Sequence, residues 1–444
     1  MRAVGIDIGT TTICGVVVEV ETAELLVART IQNTAAMFSE KAYEKLQDAD
    51  QIFSICNQLL KELLSEYEDI QYIGITGQMH GILYLDEKGE AVSPLYTWQD
   101  QRGNLFYNDE MTYADYLTEK SGILMATGFG LVTHFYNHIN KKIPFNATTF
   151  CTIPDFVAMK FAGKKIPELH RSMAASLGLY DLRKDCFKKE TIEDLGMDLK
   201  LLPSIMKEEK AIGYLNDSVA VFPALGDNQA SFLGSVSGGS NLLVNVGTGS
   251  QISSECKEID ENVRLEYRPY INGTYLVTGS SLCGGYAYAM MKRFLEKTVE
   301  LLNIKDLNEE CLKNIYKDMN EAAEKVYGKG IGVSFDTRLN GTREDREITG
   351  SICGITEETF QPEYFILGTL QGICDELYSY YKKFPEDVRI SGKMIGSGNG
   401  IRMNPVLQKI FRDRFKMELE IPKYSEEAAY GAALFSGKIF VKHY

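Results

Sequence analysis

At 444 residues the chain exceeds what one ordinary hydrophobic core organises, so two domains are expected, three at most. Hydrophobic residues make up 44% and charged residues 24%, a globular balance that excludes a disordered chain. The 61 acidic residues outweigh 47 basic ones to give −14, which disfavours a general binder of nucleic acid or anionic membranes and leaves room only for a local basic pocket.

The elements follow in chain order. Residues 3–8 and 12–20 have strand character, joined through Gly9 and the threonines Thr10, Thr11 and Thr12, with one carboxylate, Asp7, inside the first strand. Asp7 also interrupts what would have to be the apolar core of a signal peptide. No uncharged apolar run approaches the roughly 18 residues that span a bilayer. From Gln47 to Tyr67 the spacing of Ile52, Phe53, Cys56, Leu59, Leu60 and Leu63 predicts a helix. "IQYIGITGQMHGILYLDEKGEAV" returns to strand character, with a strand ending near Thr76 and a hairpin turn at Asp86 to Gly89. The mixture predicts an α/β architecture.

Further along, "VFPALGDNQASFLGSVSGG" (Val221 to Gly239) reads as a short strand, a turn at Gly226, a helix beginning near Asp227 and a glycine-rich exit. It is the expected interdomain crossover, which sets the domains at 1–232 and 233–444. "VNVGTGSQI" at Val244 to Ile252 then lines up with "IDIGTTTIC" at Ile6 to Cys14, Asn245 falling on Asp7 and Gly247 on Gly9. A repeat of strand, glycine turn and strand predicts two related domains. "VRISGKMIGSGNG" is an apolar strand entering the loop Gly396, Ser397, Gly398, Asn399, and "NPVLQKIFRDRF" starts a helix with Asn404 as N-cap and Pro405 in its first turn. In "SEEAAYGAALFSG" Ser425 is the expected N-cap of a helix whose small residues permit close packing.

Nine scattered cysteines without a C-x-x-C pair read as reduced side chains of a cytosolic protein, and five histidines without ligand spacing predict no zinc site. Two glycine-threonine turns offer backbone N–H groups and hydroxyls to phosphate oxygens, although an ordinary β-turn accounts for either one alone. No Walker sequence occurs. Asp7, leaving its strand beside the first turn, is placed to hold Mg²⁺ through water. Asp227, at the start of a helix, is the candidate general base for an acceptor hydroxyl, with a plain N-cap as its other reading. "GQMHG" (Gly77 to Gly81) and "YTWQDQR" (Tyr96 to Arg102) supply the polar groups and aromatic plate that a sugar requires. Structural roles stay open to them: a buried His80, a core Trp98, a surface pair of Asp100 with Arg102.

Taken together and in order, these segments resemble the FGGY carbohydrate kinases, whose fold is that of actin, hexokinase and the 70-kDa chaperones. "GIDIGTTT" looks like the first phosphate loop, "GQMHG" and "TWQD" like the sugar segments, "GDNQA" like the segment of the catalytic base, "NVGTG" like the second phosphate loop, "GSGNG…NP" like the adenosine loop and "SEEAAYGAA" like the closing helix. Within the family, "TWQDQR", "ATGFG", "PDFVAMKFAG" and "AASLG" are most like sedoheptulokinases, while "GQMHG" is shared with xylulokinases, which usually carry asparagine where Gln99 stands. The resemblance implies two actin-like (ribonuclease H-like) α/β domains with a central cleft, and transfer from ATP, with Mg²⁺, to the terminal primary hydroxyl of a ketose. By carry-over Asp227 is the base, Asp7 lies near the metal, and Gln78, Met79, His80, Trp98 and Asp100 approach the sugar. Thr10, Thr11, Thr12, Gly247, Thr248, Gly249, Gly396, Ser397, Asn399 and Asn404 approach ATP. A homodimer is left open.

Two departures concern the nucleotide: "NGTREDREITGSICGI" keeps only Gly341 and Arg343 of the family's G-E-R-T-P segment, and Ser397 breaks a run of three glycines. The rival from another class is an ATP-binding switch or sugar sensor of the same fold, which has no need of "GQMHG", "TWQD" and "GDNQA" together.

Overall fold

In the computed structural model, which describes residues 1–236, 241–302, 309–342, 345, 347–389 and 392–442, the first apolar run forms strand β1 (Arg2–Ile8). It pairs antiparallel with β2 (Thr12–Glu19), Asp7 standing opposite Cys14. β2 pairs with β3 (Glu24–Gln32), an edge strand that the sequence reading did not mark: its nine residues are half-buried or exposed, alternating only from Val27 on, and none is fully buried. On its other side β1 runs parallel to β4 (Ile70–Gly77), with Asp7 beside Thr76. Beyond β4 the antiparallel β5 (Gly213–Leu215) and β6 (Val219–Val221) finish the sheet, β6 lying parallel to β4. The short β7 (Leu225–Gly226) also runs parallel to β4, Leu225 beside Thr76.

Helix α1 (Ala49–Glu66) starts where the Asp48 carboxylate accepts from Gln51 N, and buries Ile52, Cys56, Leu59, Leu60 and Leu63 against β1 and β2. Phe53 is half-buried. Burial of each large aliphatic side chain contributes about 1.5–3 kcal/mol, so this face drives the docking. The opposite face of the sheet carries the C-terminal helix Glu427–Lys442, and here packing is set by the absence of side chains. A Cβ at Gly5 of β1 would run into the carbonyl oxygen of Ala429, and one at Gly74 of β4 into that of Ala432. Gly431 lies equally close to the Ala230 carbonyl of helix α2 (Asp227–Ser235). Ser425 is not the cap expected of it: the helix begins at Glu427, and the Ser425 hydroxyl donates to the Glu426 carboxylate at 2.6 Å.

A second sheet repeats the plan. β8 (Leu242–Val246) pairs antiparallel with β9 (Ser250–Cys256), which pairs with β10 (Tyr275–Ser281). On the other side β8 runs parallel to β11 (Lys393–Ser397), which runs parallel to β12 (Glu418–Glu420). Helix α3 (Gly284–Leu301) follows β10, and α4 (Asn399–Arg402) and α5 (Pro405–Phe415) follow β11. The repeat holds through the glycine and then slips by one residue. Ile8 pairs with Ile13 across the first turn, but Val246 pairs with Ser250 across the second, so the second turn is one residue shorter.

The chain divides into one unit of Met1–Gly234, Arg268–Gly273 and Tyr424–Tyr444, and another of Ser235–Tyr267 and Thr274–Lys423. This differs from a single cut at 232/233, because the C-terminal helix packs on β1 and β4 of the first sheet. Residues 237–240 of the glycine-rich exit, and Arg343, lie outside the described residues. Among the described residues no helix is long and apolar enough to cross a membrane.

Gly431→Ala tests the close seating. Helix propensity alone favours alanine by about 1 kcal/mol, but the new methyl meets the Ala230 carbonyl, and overpacking of this kind costs about 1–3 kcal/mol or more. The variant should therefore unfold at a lower temperature or urea concentration than the native protein, and a rise would refute the packing argument.

Candidate active site

The first glycine-threonine turn is tied from one side by its carbonyls. Asn33 Nδ2 donates to Gly9 O at 2.9 Å and Asn33 N to Thr11 O at 2.8 Å, while Gln47 Nε2 donates to Thr10 O at 2.8 Å. In a trans peptide the N–H points away from the C=O. Fixing these three carbonyls therefore turns the N–H groups of Thr10, Thr11 and Thr12 to the other side, the arrangement of a backbone anion nest. Neither Asn33 nor Gln47 was marked as a functional residue from the sequence: Asn33 follows β3, Gln47 opens the stretch read as helical, and neither belongs to a motif.

The second turn reaches the same end differently. Gly285 N donates to Gly247 O at 2.8 Å and Tyr286 N to Thr248 O at 2.9 Å, so the first turn of α3 holds the carbonyls, and Thr248 is exposed. The adenosine-loop expectation divides. Asn399 is exposed beside Gly398, whose φ of 82° glycine accepts without strain. Gly396 is buried, and Ser397 is fully enclosed with its hydroxyl accepting from Asn245 Nδ2 at 3.1 Å. Asn404 is spent as the N-cap of α5, its Oδ1 accepting from Leu407 N at 2.9 Å. These three act as framework for the loop in this arrangement rather than as open contacts.

Sheet register brings the two key carboxylates together. Asp7, Thr76 and Leu225 lie side by side on β1, β4 and β7, and Asp227 follows two residues after Leu225 at the start of α2. Each side chain keeps a partly accessible surface while protein surrounds its carboxyl group. Burial, and then the charge of Asp227, raise the Asp7 carboxyl to about 7. Burial raises Asp227 to about 6, against the opposing pull of the Asn228 N–H, 2.6 Å from its Oδ1, and of Arg268. Two enclosed carboxylates fit Mg²⁺, which takes one or two protein carboxylates and fills its remaining positions with water and phosphate. No group of three metal-ligating side chains occurs among the described residues, so a dedicated protein cage is not what the site offers.

A buried chain of hydrogen bonds supports the Asp227 turn. Gly226 N donates to Ser172 Oγ at 3.0 Å, Ser172 Oγ lies 2.7 Å from His170 Nδ1, and His170 Nε2 lies 3.3 Å from Glu209, which also accepts from Asn272 N. The donors are consistent if His170 carries its proton on Nε2. Nothing local signals this chain, because the His170 and Ser172 pair meets Glu209 and Gly226 only across dozens of residues.

The sugar segments separate into open and enclosed residues. Trp98 is 47% exposed, and its Nε1 donates to Thr10 Oγ1 at 3.0 Å, which removes the core role and ties the aromatic plate to the phosphate turn. Gln78 is buried with Nε2 donating to Gln47 Oε1 at 2.9 Å. Met79 is buried against Gly226, its sulfur facing Asn228 Nδ2 at 3.9 Å. His80 is half-buried, stacked on Phe129 at 4.7 Å, with Nδ1 2.7 Å from the Ser176 carbonyl. Asp100 departs from its expected role: it is 0% exposed, accepts from Arg102 Nε at 2.7 Å and Nη2 at 3.2 Å, and takes Lys45 N at 3.0 Å. Both oxygens are occupied, so Asp100 holds Arg102 and the loop above it and offers nothing to a sugar. A cavity of about 580 Å³ in the second unit, lined by Arg264, Asp336, Arg338, Glu376, Tyr380 and Lys383 among others, contains none of the residues expected at sugar or ATP.

Residues 2–234 match the N-terminal domain, and residues 242–438 the C-terminal domain, of the FGGY family of carbohydrate kinases. The chain belongs to that family and is a phosphotransferase with an alcohol group as acceptor, a class for which ATP use is implied. It is 25% identical to sedoheptulokinase of Mus musculus over 472 residues, covering 97% of this chain and 96% of that protein. It is 22% identical to a xylulose kinase of Staphylococcus xylosus, covering 98% and 90%. A crystal structure of gluconate kinase from Lactobacillus acidophilus superposes with a TM-score of 0.81 at 18% identity, covering 100% of this chain and 90% of that one. The two-domain α/β fold is that of sugar kinases of the actin-like ATPase type.

The raised carboxyls set a pH dependence. A carboxyl that holds its proton more tightly when folded binds more protons in the native than in the unfolded state between its two values, so stability falls as pH rises through that window. For Asp7 the window runs from the ordinary carboxylate range up through about 7. Without nucleotide or Mg²⁺, Asp7→Asn should be more stable than the native protein above pH 7, and the difference should shrink toward acid. Parallel curves of melting temperature against pH would show that Asp7 is not held in this way.

Proposed function

We propose that this kinase transfers the γ-phosphoryl group of ATP to the terminal primary hydroxyl of a ketose, sedoheptulose being the substrate we favour. The observation that carries this reading is the convergence on Thr10. The Trp98 indole and, through Gln47, the Gln78 carboxamide are both hydrogen-bonded to this one residue of the phosphate turn. The acceptor segments and the first phosphate turn are thereby held together, which serves the positioning that an in-line transfer requires of a protein.

In this reading Asp227 accepts the proton of the sugar hydroxyl as its oxygen bonds to phosphorus and the bond to the departing ADP oxygen breaks. With its carboxyl raised to about 6, Asp227 is ionised at neutral pH yet more basic than an ordinary carboxylate. Asp7 would hold Mg²⁺ through water, and when bound the ion supplies charge neutralisation for the phosphate oxygens. The N–H groups of Thr10, Thr11 and Thr12, and those following Gly247 and Thr248, would receive phosphate oxygens, with Asn399 beside the nucleoside. Trp98, Met79, His80 and Gln78 would line the sugar. Eight unpaired cysteines among the described residues support a cytosolic place.

The sedoheptulose preference is supported by full-length similarity to a sedoheptulokinase and by the segments "TWQDQR" and "AASLG". Xylulose is the second reading, supported by "GQMHG" and by the xylulose kinase relative.

Coupled ADP release with Mg-ATP should be strongly stimulated by sedoheptulose and less by xylulose, ribulose, fructose or glycerol. The reverse order would transfer the assignment to the better substrate. Asp227→Asn should lower kcat by about 10²–10⁴-fold while ATP still binds, and near-native turnover would remove Asp227 from the role of base. Its activity in the native protein should fall as pH drops through about 6. Trp98→Ala should raise the sugar KM and leave that of ATP little changed; an unchanged sugar KM would take Trp98 out of the sugar site.

A further inference from the structure

The hydrogen bonds around Gln47 have a direction that chemistry fixes. The Thr10 carbonyl can only accept, so Gln47 must present Nε2 to it, and the 2.8 Å contact does so. That leaves Gln47 with Oε1 toward Gln78, an acceptor, which Gln78 can meet only with its own Nε2. The Gln78 carboxamide is therefore not free to flip: its Oε1 must face the other way. This oxygen is buried, on a side chain 6% exposed, and has no hydrogen-bond partner among the described residues. Buried acceptors without a partner are rare in folded proteins and ask for a ligand or an ordered water.

We infer that Gln47 is a positioning residue for sugar recognition, which locks Gln78 with Oε1 as an acceptor and so requires a donating hydroxyl on the sugar at that point. The inference rests on the proposed placement of Gln78 at the sugar. Gln47 touches no sugar itself in this reading: it acts through Gln78 and, by its bond to the Thr10 carbonyl, on the turn whose Thr10 hydroxyl accepts from Trp98. Gln47 is buried at 3% exposure on a two-residue strand, Leu46–Gln47, hydrogen-bonded between Ala36–Met37 and Leu95–Tyr96, so its own carboxamide is held as firmly as the one it orients. Gln78 N in turn donates to Ile8 O at 2.9 Å, which fixes its backbone on the end of β1. A flipped carboxamide would set Oε1 against Oε1 and lose the only bond that the pair makes, while presenting two donors to a sugar hydroxyl in place of one acceptor.

Trp98 is the chain's only tryptophan and stands exposed in the same segment set, so its fluorescence reads sugar binding without catalysis. The native protein, Gln47→Leu, Gln47→Glu, Gln78→Leu and the double variant Gln47→Leu/Gln78→Leu would be titrated with sedoheptulose and with xylulose, each variant first melted to confirm folding. Gln47→Leu should weaken sugar binding about tenfold, the usual effect of misdirecting one buried hydrogen bond. Gln47→Glu keeps an oxygen for Gln78 Nε2 but can donate to the Thr10 carbonyl only when protonated, so it should recover part of that loss toward acid pH and little of it at about pH 8. The double variant should lose much less than the product of the two single losses, because the part of the Gln47 effect that runs through Gln78 has nothing left to act on. Sugar affinity unchanged in Gln47→Leu, or losses that multiply in the double variant, would overturn the inference. A native protein that answers no ketose by fluorescence or by ADP release would instead overturn the substrate reading, and the inference with it.

Discussion

The seating of the C-terminal helix on two adjacent glycines is the constraint on which the first unit depends. Gly5 and Gly74 are register partners on the parallel strands β1 and β4, and together they make a bare patch in the sheet. The backbone of Glu427–Lys442 settles on it, meeting them through Ala429 and Ala432. Side chains two residues apart on a strand share a face, so Asp7, two beyond Gly5, and Thr76, two beyond Gly74, emerge on the face that this helix covers. The same helix approaches α2 through Gly431 and Ala230, and through Gly234 and the Glu427 carbonyl. Strand β1, strand β4 and the helix that begins with Asp227 are consequently fixed to one another by backbone contact, without long side chains that could change rotamer. Two carboxylates on different elements thereby acquire a defined relation.

Backbone bookkeeping explains the two turns. Each must bury or satisfy its carbonyls, and each does so on one side, with Asn33 and Gln47 in the first and the opening residues of α3 in the second. The N–H groups then face the other way by peptide geometry rather than by any feature of the threonines. The shorter second turn follows from its partner: a helix terminus presents successive donors close together, whereas Asn33 and Gln47 reach in from separate segments. The threonine hydroxyls remain available for other work, and Thr10 uses its own to accept from Trp98.

Much of the framework was legible in the sequence because it is local. The pairing of β1 with β2, the helix from Ala49, the Asn404 cap and the start of α2 at Asp227 all follow from nearest-neighbour patterning. β3 was not legible, because its apolar run, Leu25 to Ala28, is short and belongs to an edge strand of which no residue is fully buried. Asp100 was misread as an open group since a carboxylate near a tryptophan looks available, and nothing local reveals that Arg102 and Lys45 N occupy both oxygens. For Ser397 and Asn404 the motif reports which residue stands at a position but not that its side chain is already engaged, with Asn245 in one case and Leu407 N in the other. Gln47, Asn33 and the Glu209, His170 and Ser172 chain were invisible because their meaning lies in contacts across tens of residues.

Asp7 and Asp227 look interchangeable as buried carboxylates, but their surroundings separate them. Both of the influences on Asp7 raise its carboxyl, burial first and the neighbouring charge second. Asp227 is raised by burial alone, and Asn228 and Arg268 oppose the rise. Arg268 comes from the Arg268–Gly273 segment, which packs with the first unit although the chain around it belongs to the second. That excursion thus brings a cation to Asp227. Where two titratable groups are pushed to different degrees, the environment assigns their tasks. The carboxylate that already has a protein cation and an N–H donor can stay ionised by itself, which suits the role of base proposed for Asp227. The one that has neither would be helped by an outside cation to hold its charge, which suits the metal-side role proposed for Asp7.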